Sequence, residues 1–469
     1  IAHYARVNRG REVVTSDLER AFEEVTGKSM GRFFDQWVRR GGHPEFEVSY
    51  DWDGDHKLAK LSVKQTQKPD NLTPIFATPV TIAFTFDAKG KRETRTFTIT
   101  VENASDTFVF PLDRRPTLVR FDPYGWVLKT LKFDRPVTML RWQLANDIDP
   151  LGRLEAAEGL AKHSDSATQD ALVAALTDDS WAVVAAAARS LGKIGSGAAC
   201  EALARALPAT QDPRARRAVV AALGEFHAPE RADEARRAAT ALTTLLSGEE
   251  PSYRVLAEAA QSLGRTRTDG VAATLRPLAE RPTWHALVEG GALAGLGESA
   301  TPEAARYLAE VARAPARPML IRSGAVSALR VLISTGRLDR QGQDYIAIRD
   351  ALVVALDDPW VRSRIFATVA LRALDDPETL PALERTGTSM LESRVQRLAR
   401  EAALAIRSGK RGEGETRRVR QDVESLREEN RKLRDRLTVL ETRLGNGHTT
   451  NGNGHSKGDV PAESEVNGG

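Results

Sequence analysis

Two imidazoles four residues apart on one helical face can hold a zinc ion, with the glutamate after the first acting as a base. The eight histidines here are His3, His43, His56, His163, His227, His285, His448 and His455. No two are four apart and none precedes a glutamate, so no HExxH helix exists within the chain. His43 sits in a Gly-Gly-His-Pro turn, which accounts for it structurally. Cys200 is the single cysteine, which excludes an intrachain disulfide and a thiolate metal cage. No histidine or aspartate lies beside it in sequence to make a nucleophile pair, so a small buried apolar role is expected. The sequence therefore offers no catalytic, cofactor-binding or metal-binding residue of its own.

Binding chemistry has more material. Trp181, Trp284 and Trp360 recur at matched positions, as either an aromatic binding stripe or fillers between stacked helices; packing is the expectation. Arg214, Arg216 and Arg217, with Arg362 and Arg364 further on, would form a basic ridge or bond turns of the preceding repeat.

These residues must be positioned by elements that change character along the chain. Ser16 and Glu19 have capping-box spacing and open one helix, which Gly27 stops. A second runs from Ser29 to Gly41-Gly42, with Phe33, Phe34 and Trp37 on one face. The two are expected to form a helical hairpin over residues 1–44. From Phe46 the apolar period becomes two: Phe46, Val48, Tyr50 and Trp52, then Leu61 and Val63 after the Asp53-Gly54 turn. Val80 to Phe86, Phe97 to Val101, Phe108 to Phe110 and Leu118 to Phe121 follow, predicting an all-β sandwich over 45–135.

Beyond Pro136 the composition turns to Ala, Leu, Arg and Glu, and a helical unit repeats roughly every thirty to forty residues. Its second helix ends in Leu191-Gly192, Leu223-Gly224, Leu263-Gly264 and Leu296-Gly297. This pattern resembles HEAT repeats, and implies an α-solenoid over 136–408 of about seven or eight units. A solenoid presents one long surface, which binds a partner or packs on another domain.

A linker over 409–415 leads to heptad spacing over 416–445, in which Val423, Leu426, Asn430, Leu433, Leu437 and Leu440 form the a/d seam. Asn430 at an a position favours a parallel, two-stranded coiled coil. Asp422, Glu429 and Arg436 would face Arg427, Arg434 and Glu441 of a partner, all opposite in sign. The seam predicts a homodimer. The tail, 446–469, is rich in Asn, Gly, His and Ser, a composition that predicts disorder.

The run Val14-Thr15-Ser16-Asp17-Leu18 through Phe33-Phe34-Asp35-Gln36-Trp37-Val38 to Gly42-His43-Pro44 resembles the end of the catalytic domain in the membrane alanyl aminopeptidase (gluzincin) family. The β-segment, with Gln65-Thr66-Gln67 and Asp122-Pro123, is similar to that family's small β-domain, which a helical domain follows. The resemblance implies that residues 1–44 complete a catalytic domain and that zinc belongs to a segment upstream of Ile1. The repeats are more regular than the family's helical bowl, and the heptads are foreign to it. A weaker likeness, to bilin-lyase-like HEAT proteins, does not account for the first half.

The expected function is thus the non-catalytic C-terminal region of a zinc aminopeptidase, its solenoid shaping peptide access or binding a partner. The alternative is a HEAT-repeat scaffold, dimerised by the coiled coil, with no peptidase activity. The expected partners are the upstream catalytic domain, a second copy, and a protein or peptide ligand on the solenoid. A net charge of +3 over 469 residues argues against a nucleic-acid partner. No apolar run is long enough to span a bilayer. A single cysteine fits a reducing, cytoplasmic setting.

Overall fold

A computed structural model describes residues 1–409 except 89, 90, 228 and 230. The heptad residues Val423, Leu426, Asn430, Leu433, Leu437 and Leu440 lie outside the described residues, as do the linker from residue 410 and the tail. Two compact units are present, Ile1–Ala373 and a second from Leu374 onward.

The chain opens with α1 (Ala2–Val7) and α2 (Thr15–Thr26). The cap of α2 differs from the expected Ser16–Glu19 box. The Asp17 carboxylate accepts from Val14 N at 3.0 Å, one turn earlier, and Gly27 ends the helix at φ 66°. The second expected helix is only α3 (Gly31–Phe34), continued by a π turn, Asp35–Arg39. Its shortness has a tertiary cause. The Gln36 side chain donates to Ala77 O at 2.7 Å and accepts from Ala77 N at 2.9 Å, while Trp37 stacks 4.8 Å from Phe76. The turn widens to bring both side chains onto the sandwich. Phe22 still meets Phe34, with ring centroids 6.4 Å apart.

Seven strands follow: β1 (Glu45–Asp53), β2 (Leu58–Gln65), β3 (Thr78–Ala88), β4 (Lys91–Val101), β5 (Ser105–Pro111), β6 (Leu118–Phe121) and β7 (Thr130–Phe133). They form two sheets, ordered β5-β2-β1-β7 and β4-β3-β6. Val48 pairs with Val63 and Ile82 with Phe97. The period-two residues Phe46, Leu61, Val63, Ile82, Phe84 and Phe121 meet between the sheets, fully buried. The buried Gln65 amide bonds Phe76 O, Asn103 O and Phe76 N, and Gln67 donates to its oxygen. The Gln-Thr-Gln motif is thus a saturated internal brace.

The rest of the first unit is helices in pairs: α4 (Val137–Asn146) with α5 (Pro150–Leu160), α6 (Ser166–Ala174) with α7 (Trp181–Ile194), α8 (Gly197–Ala209) with α9 (Pro213–Leu223), α10 (Ala232–Ser247) with α11 (Tyr253–Thr266). Then come α12 (Val271–Glu280) with α13 (Leu287–Ser299), α14 (Pro302–Arg313) with α15 (Met319–Ser334), and α16 (Gln343–Ala355) with α17 (Val361–Leu374). The odd-numbered helices α5 to α15 stack in one row. In the second unit, α18 (Leu380–Ser389) packs against α19 (Ser393–Arg407).

The Leu-Gly pairs mark where this row is tightest. A Cβ on Gly192 would sit 3.2 Å from the Ala222 Cα, one on Gly264 2.0 Å from Gly295 O, and one on Gly297 2.5 Å from Ala328 O. Successive helices touch backbone to backbone there, which only glycine permits.

Gly264→Ala should therefore destabilise the first unit by about 1–3 kcal/mol in a urea melt. Gly290→Ala, in the same row with no atom within 4 Å of its added Cβ, should be neutral or stabilising by up to ~1 kcal/mol. Equal effects from the two would contradict this packing.

Candidate protein-interaction edge

Each row helix starts at a turn from its partner; the turns before α5, α9 and α11 carry a side-chain cap bond, while α7, α13 and α15 start without one. Asp149 accepts from Leu151 N at 3.0 Å with Pro150 following it, and Asp212 accepts from Arg214 N at 2.8 Å ahead of Pro213. Ser252 accepts from Val255 N at 3.4 Å, and Asp358 from Trp360 N at 2.8 Å. At α5, α9 and α11 the cap fixes the backbone at the helix start.

Apart from α9, which opens with Pro213 and Arg214, the side chains at or just before these helix starts are large, apolar and exposed. Trp181 opens α7, Tyr253 opens α11, and Trp284 precedes α13; Leu151 lies at the start of α5, and Met319 and Leu320 at the start of α15. Trp181 is 40% exposed and Trp284 65%. The expectation that the matched tryptophans fill gaps between helices fails for these two, because they sit at helix starts on the turn edge rather than in the helix interiors. Arg214 stacks over the Trp181 ring at 4.2 Å and Arg362 over Trp360 at 5.6 Å, an arrangement of modest strength at exposed sites.

A second feature extends this edge onto the sandwich. After β6 the backbone takes positive φ at Asp122 (53°) and Tyr124 (68°), a conformation unfavourable for non-glycine residues. Asp122 holds the loop by accepting from Trp126 N at 3.2 Å and Val127 N at 2.9 Å, and by pairing with Lys129. Tyr124 and Leu128 are exposed, and Trp126 is 83% exposed. The loop abuts the helices directly. Tyr124 N donates to Asp149 at 3.3 Å, and an added Cβ on Gly125 would lie 2.9 Å from Leu151. Ile148 stands exposed beside them. Exposed apolar residues grouped in this way mark interaction surfaces.

Under the loop lies a buried ionic cluster. Arg120 of β6 donates to Asp149 at 2.7 Å and lies 3.3 Å from Asp147 and 3.9 Å from Glu155. Burial raises the Glu155 carboxyl above its ordinary range and lowers Arg135 to about 10. The cluster ties the sandwich to α5.

Arginines at the fourth residue of α5, α9 and α15 hold successive repeats. Arg153 bonds Asp178 at 2.7 Å and Asp147 O at 3.0 Å; Arg216 bonds Glu250 at 2.6 Å and Thr210 O at 2.7 Å. Arg322 bonds Asp358 at 2.7 Å and Arg317 O at 2.6 Å. The carboxylate partners lie in the following repeat's turn and the carbonyls in the arginine's own, so for Arg216 the alternative of a bond to the preceding repeat's turn is not what forms. Arg214 and Arg217 are also paired, with Asp212 and Glu258, which leaves no unpaired ridge at 214–217. Burial opposes ionisation of Asp178, yet the bond from Arg153 prevails and its pKa falls below the usual range.

Cys200 is buried, its thiol pushed up to about 11 by desolvation. His43 Nε2 lies 2.9 Å from Thr130 Oγ1 and joins the turn to β7. Among the described residues no group of three or more His, Cys, Asp and Glu side chains could hold a metal ion, and no helix is long and apolar enough to cross a membrane.

Comparison with known proteins agrees with this architecture. A model of HEAT repeats matches residues 137–224, the span from α4 to the end of α9. The chain is 25% identical over 210 residues to transcription initiation factor TFIID subunit 2 of Drosophila melanogaster, covering 39% of this chain and 17% of that protein. Aminopeptidase A of Legionella pneumophila, solved with aspartic acid, shares the fold at a TM-score of 0.53 and 14% identity, over 86% of this chain and 53% of that one. The complex of CpcE and CpcF of phycocyanin lyase from a Nostoc species is matched at a TM-score of 0.34 and 22% identity, over 58% of this chain and 95% of that one. The chain thus spans about half of the aminopeptidase and under a fifth of the curated relative.

Side-chain and backbone bonds to Arg214 hold the Asp212 carboxyl at about 2. This folded value lies below the unfolded one of about 3.9. The pair is therefore complete above that value and lost as pH falls through about 2. A carboxyl-carbon NMR titration should show Asp212 with a midpoint near 2; an unshifted aspartate midpoint would show that the Arg214 pair does not form.

Proposed function

We propose that this chain is a non-catalytic, protein-binding region of an aminopeptidase-like protein, in which the sandwich is a spacer and the solenoid edge receives a protein or peptide. The observation that carries the reading is the exposed apolar edge running from Trp126 and Tyr124 across Leu151 to Trp181. The fold shared with a solved aminopeptidase supports the rest of it. So do the helix, sandwich and helical-repeat order and the absence of an HExxH sequence. In such a protein the zinc ion and its ligands would belong to a segment upstream of Ile1, and the solenoid would shape how peptide N-termini reach it.

A second reading is a scaffold without peptidase partnership. The regular stacking of the repeats favours it, and the curated relative is by its printed name a subunit of a larger factor. The heptads led by Leu426, Asn430, Leu433 and Leu440 would make that scaffold a homodimer, and a cytoplasmic setting suits the lone cysteine.

The polypeptide of residues 1–469, incubated with zinc, should retain less than one equivalent of metal after dialysis and should hydrolyse no aminoacyl p-nitroanilide. Stoichiometric zinc together with steady hydrolysis would refute the non-catalytic assignment. The same assay on protein from its native source separates the two readings, since only the first expects zinc-dependent hydrolysis there.

A further inference from the structure

The even-numbered helices form the other row of the solenoid, and their spacing is uneven. α8 packs against α10, and α14 against α16. Between α10 and α12 lies a cleft of 680 Å³, on the scale of sites that hold a small ligand or a few residues of peptide, about 300–1,000 Å³. The cause is legible in the side chains. α10 turns Ala239, Thr240 and Thr243 to the gap, and α12 turns Val271 and Thr274; none is long enough to bridge it. Leu263 of α11 forms part of the lining.

The mouth of the cleft is where charge collects. Arg236 of α10 and Arg267, in the turn before α12, line it against one acid, Asp269. Arg236 is drawn outward to Asp233 but remains largely exposed. Arg267 holds an unfavourable backbone φ of 54°. It spends only its Nε, on Glu298 O at 3.4 Å, so its terminal amines have no partner among the described residues. A guanidinium placed in this way offers two parallel donors, the geometry that a carboxylate accepts. The Thr240 and Thr274 hydroxyls donate to their own helices at 2.9 Å and 3.4 Å, which leaves oxygen lone pairs along the walls to accept backbone N–H groups.

We propose that this cleft binds an extended acidic segment of a partner polypeptide. Its carboxylates would sit on Arg236 and Arg267, and its main chain would lie along the threonine walls. The site is separate from the aromatic edge. Tyr253 and Arg267 lie at opposite ends of α11, about 20 Å apart along the helix, so the two surfaces can be tested independently.

The test uses the full chain and a fluorescein-labelled hexaglutamate peptide at low salt, read by fluorescence anisotropy. Saturable binding is expected. The Arg236→Gln, Arg267→Gln pair should weaken it by at least about tenfold, and so should Thr240→Trp, which fills the cleft from an exposed position. Arg205→Gln, on α8 outside the cleft, should leave it unchanged. The proposal is overturned by non-saturable binding, by cleft variants that bind like the parent, or by displacement with inorganic phosphate as readily as with unlabelled peptide. That last result would identify a simple anion site.

Discussion

Backbone contact between neighbouring helices at the Leu-Gly positions is the constraint on which the helical array rests. Where Gly264 faces Gly295, and Gly291 faces Ala257, no side chain separates the two main chains. Each helix of the row is therefore fixed in distance and in axial register to the next. Because the register is fixed, the turns that start these helices fall on one edge, and the exposed aromatic residues at those turns align. The arginines at the fourth helical position act on the same turns. They join a carbonyl of their own repeat to a carboxylate of the next, so rotation of one repeat against another would break bonds as well as contacts.

The joint with the sandwich repeats this logic with charges in place of glycines. A buried arginine facing two buried aspartates is a costly arrangement unless its geometry is closely satisfied. Arg120 reaches across from a strand to Asp147 and Asp149 through Nη1 alone, its buried Nε and Nη2 having no hydrogen-bond partner among the described residues, and the same Asp149 caps α5 and accepts from the backbone of Tyr124. One side chain thus links strand, strained loop and first row helix. The outcome is the outward display of Tyr124 and Trp126, which no folding requirement evident in the molecule explains.

Much of this was legible in the residues. Period-two alternation located the strands, and the recurring Leu-Gly endings located the row helices because both patterns are set by local geometry. The short π turn after Phe34 was not legible, since it depends on Gln36 finding Ala77 forty-one residues away. Nor was the exposure of Trp181 and Trp284: matched spacing fixes a position on the repeat but does not say whether that position faces a neighbour or solvent. The cleft between α10 and α12 gave no sequence signal, because small residues on a helix face ordinarily mean close packing rather than a gap. The Asp149-Pro150 and Asp212-Pro213 pairs, by contrast, are local sequence features that stand at the capped starts of α5 and α9.

The account holds that this chain works as a surface, through the edge that runs from the sandwich loop to the first row helices. The most direct measurement is quantitative mass spectrometry of proteins bound to the tagged full-length protein in its native cells. The parent would be compared with a Trp126→Ala, Trp181→Ala, Trp284→Ala variant whose melting temperature matches it. The account predicts that specific partners fall away from the variant while its fold is intact. Retention of every partner at parental levels would contradict it.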